Sequence, residues 1–131
     1  MTQPNALEQF MLELVNAERS KAGAQPLAFD DSLNVAAENH SQWMLDTDTF
    51  SHTGVGGSSP GTRMSNAGYV FSGSWAWGEN IAWQGTTGTL NLVAAIDAEH
   101  AALFQSQGHR ENILNDTYQE LGCVALRRRV I

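Results

Sequence analysis

The chain has 131 residues, enough for one ordinary domain, and its 42% hydrophobic and 16% charged content is typical of a globular protein rather than a disordered one. Fourteen acidic against seven basic residues give a net charge of −7, which argues against nucleic-acid binding because an acidic surface repels phosphate. The single cysteine, Cys123, excludes an intrachain disulfide and leaves the compartment open. Because it lies in an apolar run, we expect a small buried side chain rather than a nucleophile.

Targeting and membrane segments are not expected in this sequence. No run approaches the roughly 20 apolar residues that a membrane-spanning helix needs. The first ten residues, MTQPNALEQF, lack the basic and apolar regions of a signal peptide. The basic run Arg127–Arg129 is open to two interpretations, a basic patch or a solvated strand end, and the second is favoured.

Two amphipathic helices are predicted in the first third of the chain. The first covers 5–22, stops at Gly23, and has a helical face made of Leu7, Phe10, Met11, Leu14 and Val15. The second covers 32–46 and is capped by an aspartate, Asp30 or Asp31. His40 falls on its packed face, where a core histidine is favoured over a ligand.

The remaining elements are a long loop, two further helices and short strands. The glycine-rich loop covers 47–75, and such loops are more often functional than average. A short helix is expected within it at 62–67. A third long helix covers 89–105, with His100 facing inward and Gly108 ending the segment. Runs compatible with β-structure occur at 70–76, 78–83 and 120–130. The predicted class is α+β, with helices on both sides of a small sheet.

Four segments carry a family resemblance, and they read in order LxxVNAERSKAGAQPLAFDDSLNVAAENHSQWM, FSHTG, GYVFSGSWAWGENIAW and GHRENILNDTYQELGC. Together they resemble the CAP superfamily of cysteine-rich secretory, antigen 5 and plant pathogenesis-related proteins, also called SCP domains, and in particular its bacterial branch without disulfides. The resemblance covers about 7–124. It implies a three-layer α-β-α sandwich with a small, mainly antiparallel sheet, a large cleft and an extracellular location.

No internal repeat or charged linker divides the chain, so we expect a single domain over 1–131. The resemblance leaves open whether this domain is cut short at its C-terminal strand. Relatives usually continue past LGCVAL into another strand. Either a longer protein is cut here or that strand is absent, which would leave an unpaired edge. We therefore expect a monomer with a tendency to weak dimerisation.

The implied site is a tetrad of two histidines and two acids. His52 of FSHTG, Glu79 of GENIA and His109 of GHRENIL match three of its members. The fourth acid would fall near Ser106, so Glu99 or Asp97 would have to replace it. The predicted cleft residues are His52, Glu79, His109, Glu99 and His100. In some relatives such a tetrad holds a divalent metal, so His52, His109 and Glu79 are the predicted ligands, with zinc as the first candidate.

The spacing of these residues leaves other roles open. No local ligand motif such as HExxH or CxxC joins them, and Glu79 could instead accept a hydrogen bond from His52 or from a loop amide. Ser51 next to His52 is not a nucleophile pair, because adjacent strand residues face opposite ways, and no GxSxG elbow is present. The one credible catalytic mechanism is hydrolysis by a metal-bound water with Glu79 as the base.

Three tryptophans flank Glu79, at positions 75, 77 and 83. Core and cleft-wall roles are favoured for them, and alternation places Trp75 and Trp77 on one face. If exposed, they could stack on sugar rings or lie against lipid. The favoured function is a secreted, non-catalytic module that binds a small apolar molecule, a lipid, a glycan or a protein. The alternatives are a metal-dependent hydrolase acting on peptide or cell-wall material and a structural module of a larger exported protein.

Overall fold

The computed structural model describes residues 6–73, 75–82 and 91–123. Its elements are α1 (Ala6–Lys21), β1 (Ala28–Phe29), α2 (Asp31–Thr47), a 3-10 turn (Val55–Gly57), α3 (Pro60–Asn66), α4 (Leu92–Gln105), α5 (Gln107–Leu114) and β2 (Glu120–Leu121). The predicted α+β class is confirmed. The two strands pair in parallel, with Ala28 opposite Glu120, whereas the resemblance implied a mainly antiparallel sheet.

Short polar residues set the starts of three helices. The Asp30 side chain accepts a hydrogen bond from the Leu33 amide at the start of α2. The side chains of Ser59 and Asn91 cap α3 and α4 in the same way. At the other end of α1, Gly23 adopts a φ of 80°, a left-handed conformation that glycine takes without strain. The predicted boundaries of the first two helices therefore agree with the structure to within one residue.

The hydrophobic core lies where α1 meets α4 and α5. Val15, Leu27 and Ile113 are buried at its centre. The partly buried side chains around them are Met11, Leu12, Leu103, Phe104, Leu114, Tyr118 and Leu121. In the other part of the domain, α2 packs against α3. The β1–β2 pair brings the end of the described chain back beside the start of α2.

A buried arginine joins the N-terminal helix to the C-terminal segment. Arg19 of α1 has no exposed surface. Its guanidinium donates hydrogen bonds of 2.7 to 3.1 Å to four backbone carbonyls, those of Gln25, Ile113, Asn115 and Tyr118. Burial lowers the pKa of this side chain, with Asp116 opposing the shift. The four acceptors replace the water that the cation loses on folding.

Several sequence predictions differ from the structure. Gly108 does not end a segment but lies inside α5, and the chain instead breaks at Ser106, whose ψ of 124° is extended. Val93, in the first turn of α4, is 55% exposed, although its seven-residue spacing from the inward-facing His100 would place it on the same helical face. The described residues of 70–76 and 78–82 form no strand. Trp83, the run Arg127–Arg129 and the end of the closing strand lie outside the described residues.

Candidate functional site

The loop that carries His52 is held in place by a hydrogen bond from α2. His40 is 3% exposed, stacks on Trp43 at 5.7 Å, and its Nε2 donates a 2.7 Å hydrogen bond to the Ser51 carbonyl. His40 is therefore the core histidine that the sequence predicted. Gly54 lies so close to this ring that an added Cβ would stand 2.8 Å from His40 Nδ1 and 2.9 Å from Arg63 Nη1. Only glycine fits there, and the loop at 51–54 is held against both side chains.

His52, Arg63 and Glu79 form a hydrogen-bonded group that we call the Glu79 cluster. His52 Nδ1 lies 2.7 Å from Glu79 Oε1, and Arg63 Nη2 lies 2.8 Å from Glu79 Oε2. Arg63 Nη1 also donates to the Ser58 carbonyl at 2.8 Å. The exposed fractions of the side chains are 7% for Arg63, 17% for Glu79 and 52% for His52. The cluster thus runs from a buried cation through a carboxylate to an accessible imidazole.

The geometry of the Glu79 cluster determines which ring nitrogen of His52 contacts the carboxylate and which one stays available. A carboxylate only accepts hydrogen bonds, so Nδ1 of His52 carries the proton in the contact with Glu79. Nε2 has no hydrogen-bond partner within the part of the chain that the structure describes. An imidazole oriented by a carboxylate through one nitrogen, with the other available, is the usual arrangement of a histidine that binds a ligand or a metal.

The helix that carries His109 is tied to the segment that carries Glu79. Asn80 Nδ2 donates to the His109 carbonyl at 3.1 Å, and Asn112 Nδ2 donates to Asn80 Oδ1 at 2.9 Å. Gly78 lets the two segments approach, because a Cβ there would stand 3.0 Å from Asn112 Oδ1 and 2.7 Å from the Tyr118 hydroxyl. Backbone and amide contacts therefore bring α5 beside 78–80.

The imidazole of His109 has a partner of its own. Its Nδ1 lies 2.9 Å from Ser106 Oγ, the position at which the resemblance would have placed an acid. A hydroxyl therefore contacts His109 at this position. The structure therefore brings the segments of His52, Glu79 and His109 together. Of these three side chains, His52 and Glu79 contact each other, while His109 contacts Ser106.

Glu99 and His100, the other predicted cleft residues, lie on α4. Together with Glu79 they line a cavity of about 490 Å³, to which neither His52 nor His109 contributes. His100 is 6% exposed and stacks on Phe104, and it faces inward as predicted. Burial lowers the pKa of His100 and raises the pKa of Glu99. Both shifts favour uncharged side chains at this wall of the cavity.

The donor atoms offer part of the predicted metal set. Within the described ranges, no group of three or more His, Cys, Asp or Glu side chains is arranged to hold a metal ion. Both carboxylate oxygens of Glu79 are engaged, one by His52 and one by Arg63. The ring nitrogens that have no hydrogen-bond partner among the described residues are Nε2 of His52 and Nε2 of His109.

Sequence reasoning missed Arg63. It lies in α3, 16 residues before Glu79, and no motif connects the two. Its residue type could have drawn attention to it, because only four basic residues precede position 127 in this acidic chain. The Ser106–His109 contact was missed as well, although a three-residue spacing allows contact on one helical turn.

Cys123 and the tryptophans complete the surroundings of the site. Burial raises the pKa of the Cys123 thiol to about 12, which agrees with the prediction of a non-nucleophilic side chain. Trp75 and Trp77 are 58% and 39% exposed. A buried core role is therefore wrong for these two residues, which line cavity walls and keep exposed faces.

The fold and the site together define a class of protein. It is an α+β domain with a histidine on a glycine-rich loop, then a glutamate, then a second histidine on a helix, each from a separate segment of the chain. The profile of the family described as cysteine-rich secretory protein family, or CAP, matches residues 12–129, and the chain belongs to this family.

Bacterial relatives of the chain are longer than the domain. It is 36% identical over 118 residues to the uncharacterized protein YkwD of Bacillus subtilis and 31% identical over 115 residues to the uncharacterized membrane protein YlbC of the same organism. These alignments cover 90% and 88% of this chain. The chain spans only 42% and 30% of the lengths of these relatives.

Two solved structures share the fold. An extracellular protein containing an SCP domain from Bacillus anthracis superposes with a TM-score of 0.77 at 30% identity, over 90% of this chain and 36% of that one. An outer surface protein from Borrelia burgdorferi superposes with a TM-score of 0.67 at 19% identity, over 93% and 84% of the two chains. Among the described helices, none has the length and apolar character needed to cross a bilayer.

Proposed function

We propose that this CAP domain is a non-catalytic, extracellular binding module whose ligand contacts His52 at the Glu79 cluster and His109 on the neighbouring helix. The observation that carries the proposal is the double engagement of Glu79, by buried Arg63 at 2.8 Å and by accessible His52 at 2.7 Å. In this contact the carboxylate orients an imidazole and leaves the outer nitrogen of His52 for a ligand.

The same contact favours binding over hydrolysis. Each oxygen of Glu79 accepts a hydrogen bond from a neighbouring side chain, His52 on one and Arg63 on the other, and this arrangement supports an orienting role for the carboxylate. Ser106 and His109 form a serine–histidine contact, yet a nucleophile of that kind also needs a third group on the other ring nitrogen. Within the described residues, Nε2 of His109 has no such partner.

A divalent ion would be held in this proposal by the outer nitrogens of His52 and His109, with Glu79 as the group that orients His52. Zinc is the first candidate because neutral imidazole is a preferred ligand of that ion. When bound, zinc would supply a positive charge to an oxygen of the ligand. With only two protein nitrogens, we expect modest affinity that depends strongly on pH.

An extracellular location is supported by the printed descriptions of two structural neighbours, one an extracellular protein and the other an outer surface protein. The membership of this chain in the CAP family agrees with that location. The ligand itself is expected to be a small apolar molecule, a lipid, a glycan or a protein segment.

The metal component is tested by titrating zinc chloride into tag-free protein in a calorimeter near pH 7.5. We expect saturable binding that weakens at least about tenfold in both His52→Ala and His109→Ala. Glu111→Gln is the control, because this exposed α5 side chain accepts a hydrogen bond from Gln107 on its own helix. Equal affinity in all variants would rule out the proposed ligands.

The non-catalytic component is tested with purified cell wall as substrate. We expect no release of soluble fragments by the wild-type protein, with or without zinc. Turnover by the wild type that is abolished in Glu79→Gln, while the melting temperature is retained, would instead establish the hydrolase alternative. Glu111→Gln is again the matched substitution.

A further inference from the structure

An open groove runs along α3 beside the Glu79 cluster and is separate from it. Its volume is about 340 Å³, and it is widely open to solvent. One wall carries aromatic rings and the other carries hydroxyls. The lining residues are Ser59, Gly61, Thr62, Ser65, Phe71, Trp75 and Trp77.

The aromatic wall is a connected series of rings. Tyr69 and Phe71 have ring centroids 5.0 Å apart, and Phe71 and Trp75 have centroids 4.7 Å apart. The inner rings pack on one another, while Trp75 keeps 58% and Trp77 keeps 39% of its surface exposed. Large apolar side chains held at the surface by their neighbours mark a binding surface more often than an isolated exposed residue does.

The hydroxyl wall comes from one short helix. Ser59 caps α3 and lies 3.0 Å from the Thr62 hydroxyl. Ser65, one turn further on, is exposed, and its hydroxyl has no hydrogen-bond partner among the residues that the structure describes. Among the described residues that line the groove, no side chain is charged, although the chain as a whole carries a net charge of −7.

The position of Trp77 depends on a glycine in the helix opposite. A Cβ at Gly61 would stand 2.7 Å from Nε1 of Trp77 and 3.0 Å from its Cε2. The indole therefore lies directly against the backbone of α3. Any side chain at position 61 would push this ring out of place, so Gly61 shapes the groove without contributing a functional group to it.

We propose that this groove binds a neutral saccharide, with the apolar face of a sugar ring on Trp75 and Trp77 and the sugar hydroxyls bonded to Ser59, Thr62 and Ser65. An aromatic wall opposite a hydroxyl wall matches the two faces of a pyranose. The described lining offers no cation to an anionic ligand, and an acyl chain would not use the exposed Ser65 hydroxyl, which has no partner among the described residues. The saccharide site requires neither zinc nor the outer nitrogen of His52, so it goes beyond the proposed function.

The direct test is a titration of ¹⁵N-labelled protein with chitotriose, cellotriose and maltotriose, followed by amide chemical shifts. We expect saturable shifts at 59–65 with at least one of these neutral trisaccharides, and at least about tenfold weaker binding in Trp75→Ala. The control is Phe50→Ala, which removes a 53% exposed aromatic side chain that does not line the groove. Binding to none of the three sugars, or equal binding by Trp75→Ala, would overturn the proposal.

A second variant separates the groove from the Glu79 cluster. Gly61→Ala should weaken trisaccharide binding by displacing Trp77, while the calorimetric response to zinc stays at the wild-type level. Gly108→Ala is the matched control, because a Cβ at Gly108 meets no atom within 4 Å. Tighter binding to a sulfated trisaccharide or to phosphatidylcholine vesicles than to any neutral sugar would contradict the assignment of the ligand class.

Discussion

Two of the four basic residues before position 127 are buried, and each is matched to oxygen acceptors. Arg19 has four backbone carbonyls, and Arg63 has the Glu79 carboxylate and the Ser58 carbonyl. Leaving a guanidinium in the interior without such partners would cost several kcal/mol, on the order of the penalty for an unpaired buried charge. In an acidic chain, scarce cations at buried positions therefore indicate structural and site roles rather than solubility.

His100 predicts a pH dependence of stability. Burial lowers its pKa below the ordinary value of 6.5, with Glu18 and Asp97 opposing the shift. The unfolded chain therefore takes up a proton at a higher pH than the folded one, so this residue's contribution is complete above about pH 6.5 and is lost as the pH falls. We expect His100→Gln to reduce the decline in unfolding free energy between about pH 7 and pH 5, measured by urea denaturation.

The pH dependence that Glu99 contributes must be separated from that of His100. Its raised pKa makes the fold more stable as the pH falls toward the ordinary value of 4.5, which is the opposite sign. The difference between wild type and His100→Gln isolates the histidine, and Glu99→Gln gives the reverse comparison. An identical pH slope in wild type and His100→Gln would show that His100 titrates alike in both states.

At the residue scale, the sequence left the contacts of the predicted site residues open. The pairing of His52 with Glu79 was one of the alternatives open from sequence, and the structure shows it at 2.7 Å. Arg63 could not be placed, because its contact with Glu79 depends on how α3 packs and not on any local spacing. The exposure of Trp75 and Trp77 depends likewise on tertiary packing, which alternation along the chain does not determine.

Among the elements, helices were more predictable than strands. Asp30 and Gly23 mark helix ends through local hydrogen bonds and local dihedral angles, so the sequence carries the information at the boundary itself. Each described strand has only two residues, and their pairing joins Ala28 to Glu120 across the whole domain. Gly108 was misinterpreted because glycine frequency at helix ends does not exclude a helical glycine.

The role of Arg19 in attaching α1 to the C-terminal segment can be tested by substitution. Replacing it with methionine keeps much of the side-chain volume but leaves the carbonyls of Gln25, Ile113, Asn115 and Tyr118 without this donor. We expect Arg19→Met to lower the unfolding free energy by about 3 kcal/mol or more, measured by chemical denaturation. Lys21→Met, at an exposed position in the same helix, should change it by less than about 0.5 kcal/mol. Equal effects of the two substitutions would contradict the role assigned to Arg19.

For the molecule as a whole, the order of the motifs was enough to predict the family. No single segment is specific, but FSHTG, GENIA and GHRENIL in sequence, at these separations, correspond to the CAP profile that matches 12–129. The three-ligand metal set was not predictable to the same degree, because it requires side chains from three segments to converge. The two longer relatives carry this domain as less than half of their length.

The reach of Arg19 across the chain has a consequence for how the protein is made. Its acceptors in Ile113, Asn115 and Tyr118 are synthesised 94 to 99 residues after the arginine. A nascent chain that has not passed these positions holds α1 with its cation unsatisfied, so the N-terminal half becomes stable only after the C-terminal segment has been made. We expect ribosome-bound chains ending at residue 112 to be digested rapidly by protease, and chains that carry 113–123 clear of the exit tunnel to resist it.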